Sequence, residues 1–96
     1  MERLRELMRG RKKNRLEFLR GVVEVLLSGE DVYSDEVLFR DTVEEIYSNL
    51  RSMVIDEGRK ELLDAYEDAV ILRAMVSGRY GDVREVLEDI MKRLEV

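Results

Sequence analysis

Arg9, Arg11, Lys12, Lys13 and Arg15 place five cations within seven residues, and Arg20 follows a little over one helical turn later. Contact with a phosphate backbone needs several cations within reach of successive phosphates, and arginine adds planar paired donors. The cluster therefore predicts a segment that meets nucleic acid, another anion or an acidic protein. No aromatic residue interleaves with it to stack on bases. A second constellation is acidic. Asp41-x-x-Glu44 and Glu61-x-x-Asp64 set carboxylates three residues apart, on the same side of a helix. Carboxylates from two facing helices could do acid chemistry together only if they converged between those helices. The chain has no His and no Cys, which excludes Ser-His catalysis, a thiol nucleophile and zinc-thiolate sites.

The acidic pairs resemble the carboxylate pattern of the all-α, magnesium-dependent nucleotide pyrophosphohydrolases of the MazG type, over some 25 residues, with Asp41 where that pattern has Glu. The resemblance implies phosphohydrolysis of nucleoside triphosphates. At about 100° per residue, Asp41 and Asp64 face away from the apolar stripes of their own helices, which opposes convergence. Ser77-Gly78-Arg79-Tyr80 followed by Glu85-Val86-Leu87 resembles the helical junction of ribbon-helix-helix antitoxins and repressors. That resemblance implies DNA binding, but it lacks the short basic strand which the family places before its first helix. Neither resemblance assigns a family; no catalytic residue, metal ligand or cofactor is expected.

These side chains must be carried by helices, because four segments show helical periodicity and none shows sustained alternation. The first spans about 2–28. Its stripe of Leu4, Leu7 and Met8 resumes at Leu19, Val22, Val23 and Leu26, and Gly10 with the cations after it predicts a break or kink. The second, about 35–55 with Ser34 as N-cap, buries Phe39, Val43, Ile46, Tyr47, Leu50 and Val54. The third, about 59–76, uses Leu62, Tyr66, Ala69, Val70 and Val76. The fourth opens at Asp82 with Glu85 as a capping-box variant and buries Val83, Val86, Leu87, Ile90, Met91 and Leu94. Ser28-Gly29, Asp56-Glu57-Gly58 and Ser77-Gly78 supply the stops. A faint repeat relates Ser28-Gly29 to Ser77-Gly78 and Glu36-Val37-Leu38 to Glu85-Val86-Leu87; helix-Gly-helix junctions commonly look alike, and that is the preferred explanation.

Arg73 lies in the run Ala69-Val70-Ile71-Leu72-Arg73-Ala74-Met75-Val76 and is expected to pair with an acid of a neighbouring helix. Ile71, Leu72 and Met75 fall outside the narrow stripe and predict a second apolar surface for self-association. The four tyrosines, Tyr33, Tyr47, Tyr66 and Tyr80, read as packing residues with hydroxyls at the surface.

The 96 residues form one expected domain, a basic segment over 1–15 and a helical core over 16–96. The fold class is all-α: a small four-helix bundle of two helical hairpins, with a basic N-terminal arm or a kinked first helix. Residues 1–20 carry eight basic and three acidic groups, net +5, whereas residues 21–96 carry nine and nineteen, net −10. No apolar run is long enough for a membrane span or a signal peptide, which predicts a cytoplasmic protein without a membrane partner. Charged residues at 41%, with no Gln and two Asn, match the composition of heat-adapted proteins. The expected function is non-catalytic: a helical binding or regulatory protein, homodimeric, whose basic segment contacts nucleic acid or an acidic partner.

Overall fold

A computed structural model describes residues 15–28, 36–78 and 83–95. Among them are four α-helices and no strand: α1 (Arg15–Ser28), α2 (Glu36–Arg51), α3 (Leu63–Gly78) and α4 (Val83–Arg93). A π-helical turn, Ser52–Asp56, follows α2, and a 3-10 turn, Lys60–Leu62, precedes α3. The helices close a ring in which α1 packs on α2 and α4, and α3 packs on α2 and α4. Neighbours run antiparallel. Arg20 of α1 reaches Leu94 and Arg84 of α4 reaches Leu27; Glu44 of α2 meets Arg73 of α3, and Asp64 of α3 meets Arg93 of α4. The all-α hairpin architecture follows from four short helices, each marginal alone and each carrying one face to bury.

The stripes meet at the centre. Leu19, Val22, Val23 and Leu26 of α1, Phe39, Val43, Ile46 and Leu50 of α2, and Leu87, Ile90 and Leu94 at the α4 end are all buried. Tyr47, Val54, Tyr66, Val76, Val83, Val86 and Met91 pack around that core partly exposed. Phe18 and Val25 widen the buried face of α1. The core also takes two polar residues. Thr42 Oγ1 donates to the Leu38 carbonyl at 2.7 Å, and Asn49 Nδ2 donates to the Glu45 carbonyl at 2.7 Å, so neither is buried unsatisfied.

Two departures from the sequence reading have local causes. The second helix ends at Arg51, and its last turn widens: the Glu57 N–H donates to the Ser52 carbonyl at 3.1 Å and the Arg59 N–H to the Met53 carbonyl at 3.0 Å. Gly58, at φ 70°, turns the chain in the left-handed region. Met53, within this turn, is buried in the core. On α3 the buried face is Leu62, Ala65, Ala69 and Leu72, spaced three and four residues apart. Val70, expected in the stripe, stands about 100° from Ala69 at its edge and is 43% exposed, whereas Leu72, expected on an outer surface, is 0% exposed. Ile71 is 50% exposed and Met75 partly buried. The faint repeat is a likeness of junctions, as preferred above: its offset carries core Leu19 onto Asp68 and core Val22 onto exposed Ile71, so burial does not repeat with it.

Candidate functional site

Of the predicted basic cluster, Arg9, Arg11, Lys12 and Lys13 lie outside the described residues, as do Ser34, Tyr33 and the junction from Arg79 to Asp82. Arg15 and Arg20 are described, and both are turned onto the bundle itself. Arg15 opens α1; its Nε donates to Asn49 Oδ1 at 3.1 Å and its Nη1 to Glu57 Oε2 at 2.5 Å, tying α1 to the end of α2. Arg20 donates from Nε and Nη2 to the Leu94 carbonyl at 2.9 and 2.6 Å. Arg84 returns the same service, donating from Nη1 to the Leu27 carbonyl at 3.0 Å. The last carbonyls of a helix lack intrahelical partners and carry partial negative charge, so a guanidinium from the antiparallel neighbour is a fitting cap. The sequence did not disclose this reciprocity, because the two arginines stand far apart in the chain and each alone reads as a solvated cation.

The carboxylates of the acidic pairs go to different places. Glu44 is bound by Arg73 at 2.7 Å on the α2 side of α3, whereas Asp64 meets Arg93 at 3.4 Å on the α4 side. Glu61 faces Arg59 at 3.6 Å in the turn before α3, and Asp41 is exposed. Among the described residues no three acidic side chains gather where they could hold a metal ion. Arg73, as expected, pairs with an acid of a neighbouring helix; its guanidinium also lies 4.6 Å over the Tyr47 ring. The Tyr47 and Tyr66 rings stand 5.9 Å apart. A hydrogen bond with Tyr47, then burial, raises the Tyr66 hydroxyl above its ordinary pKa.

Two surfaces remain. On α3, opposite the core face, Leu63, Glu67, Val70, Ile71 and Ala74 are exposed along one strip, apolar except for Glu67. Between α3 and α4 an open cleft of about 360 Å³ is lined by Asp68, Glu85, Val86, Glu88, Asp89 and Lys92. Asp68 is the group here that sequence reasoning passed over. It flanks the α3 stripe, and its Oδ2 is shut from solvent without a hydrogen-bond partner. Burial, then the bond and charge of Asp89, push its carboxyl up to about 7. Asp89 is held below the usual carboxylate range by the bond with Asp68 first and by the charge of Arg93.

No helix among the described residues is long and apolar enough to cross a membrane. The fold and these surfaces define a small all-α helical bundle. Comparison with protein families, with curated proteins and with solved structures finds no match to the chain.

Proposed function

We propose that this chain is a cytoplasmic, non-catalytic interaction protein that pairs with a second copy through the outer face of α3 and offers Arg9, Arg11, Lys12 and Lys13 to an acidic partner or nucleic acid. The supporting observation is the outer strip itself. Leu63, Val70 and Ile71 are 44%, 43% and 50% exposed on a helix whose opposite face is already filled by Leu62, Ala65, Ala69 and Leu72. Folding alone gives no reason for three large apolar side chains on one solvent-facing arc, whereas an isologous dimer contact covers them and the small Ala74 allows close approach. Of the predicted self-association residues Ile71, Leu72 and Met75, the reading now rests on Ile71, joined by Val70 and Leu63. Light scattering is expected to return twice the chain mass, and the double substitution Val70→Glu/Ile71→Glu to return the single chain mass with the helical signal unchanged. A wild-type chain that stays monomeric at millimolar concentration overturns the reading.

A further inference from the structure

Helix α3 meets α4 through acids on both sides. Asp64 and Asp68 stand one turn apart on α3, and Asp89 and Arg93 one turn apart on α4. Arg93 serves the outer end of this contact, reaching Asp64 and Asp89 at 3.4 Å each. Asp68, further in, receives no such partner, and its Oδ2 is closed off from water. Two ionised carboxylates here would repel and leave that oxygen orphaned in a poorly solvated place, at substantial cost. A single proton resolves both faults, since a carboxylic acid donates an O–H to the carboxylate opposite. We propose that Asp68 and Asp89 share one proton across the α3–α4 contact, making it a pH-sensitive latch that is tight while Asp68 is protonated and loosened once that proton is lost.

The surroundings decide which of the two carries the proton. Asp89 lies next to Arg93, whose cation favours its ionised form. Asp68 is the more enclosed, and Asp64 adds a further negative charge to it from its own helix. Across the cleft α4 also presents Glu85, Glu88 and Lys92, and the charge of Arg93 opposes the Asp68 proton without overcoming burial and Asp89. The charges that α2 turns toward α3 are engaged on the other flank, Glu44 with Arg73 and Arg51 beside Tyr66. In the 3-10 turn Glu61 faces Arg59 and Lys60 is exposed.

The direction of the effect follows from linkage. The Asp68 carboxyl sits above its ordinary value of 3.8, at about 7, in the folded chain. Between those two values the folded chain holds a proton that the unfolded chain has released, so stability falls as pH rises through that window. The chain has no His and no Cys, so no side chain of ordinary pKa titrates between about pH 6 and 8 to mask the effect. Thermal unfolding of the full chain is expected to give a melting temperature several degrees higher at pH 6 than at pH 8. Asp68→Asn keeps a donor toward Asp89 without a titration, and should melt at the same temperature at both values, above wild type at pH 8. Carbon-13 spectra of the aspartate carboxyls should show one group titrating near neutrality, absent from Asp68→Asn. Equal wild-type melting temperatures at pH 6 and 8 overturn the proposal, as does an Asp68 that titrates with ordinary carboxylates. A selective rise of the wild-type pH 8 melting temperature with millimolar Mg2+, absent in Asp68→Asn, also overturns it, since the pair would then be a cation site.

Discussion

Arg20 and Arg84 show how much one side chain's role depends on what lies across from it. Each is a guanidinium that caps the C-terminal carbonyls of the antiparallel neighbour, and together they tie α1 to α4 at both ends. A hydrogen bond from a charged donor to a carbonyl contributes about 1.5–3 kcal/mol when well shielded, and part-exposed geometry puts Arg20 toward the lower end. Arg20→Met, which keeps the apolar stem, is expected to lower unfolding stability by about 1 kcal/mol, measured by urea denaturation. The surface pairs Arg40–Glu36 and Arg84–Glu88 belong to a weaker class, and Arg40→Ala or Glu88→Ala, which leaves the Arg84 cap in place, should change stability by less than about 0.5 kcal/mol. Of the individual residues, those obeying helical periodicity were readable from sequence: Leu19, Val22, Val23 and Leu26 are core residues as expected. Asn49 and Thr42 were not, because their burial depends on backbone and arginine partners that no periodicity encodes.

At the scale of elements, α3 carries the sharpest test of register. Ile71 and Leu72 are adjacent, apolar and equal in size, yet one is half exposed and the other fully buried. Leu72→Ala is expected to cost about 2–5 kcal/mol through lost burial and a cavity, and Ile71→Ala less than about 1 kcal/mol, by the same denaturation measurement. Equal costs would mean that the helix is rotated from the orientation that buries Leu72. This helix was hard to phase from sequence because it is apolar nearly all round, so a stripe through Val70 and one through Leu72 read almost equally well. In α4, by contrast, polar residues separate Val83, Val86, Leu87, Ile90, Met91 and Leu94, and the predicted face is the observed one. The end of α2 was legible as a stop but not as a π turn: Gly58 announces the break, and nothing in its neighbours announces the widened ring. Gly58→Ala should cost about 1 kcal/mol, since a Cβ at φ 70° is strained although open space surrounds it.

At the scale of the whole molecule, charge is distributed unevenly, net +5 over residues 1–20 against −10 over the remainder. Arg15 and Arg20 already serve the fold, which leaves Arg9, Arg11, Lys12 and Lys13 as the cations of the proposed partner contact. Binding of a labelled oligonucleotide is expected only at low salt, to weaken steeply as salt rises, and to vanish on replacing those four with Glu. Retention of binding in that variant would place the contact elsewhere. The proposed function was only faintly legible. Acids at i, i+3 spacing suggested a metal centre by resemblance, but spacing along a helix does not tell which neighbour that helix faces, and Glu44 and Asp64 turn to opposite sides.

The outer face of α3 carries the central claim, and the cysteine-free chain allows a direct measurement of it. Single cysteines are introduced at Val70 and, as a control on another face, at Ser48, which is exposed on α2. Both variants are then oxidised at low concentration and separated without reductant. A two-fold contact brings Val70 against its own copy, so Val70→Cys should form a covalent dimer rapidly while Ser48→Cys remains monomeric. Equal crosslinking of both variants, or none in either, would contradict a dimer built on this face.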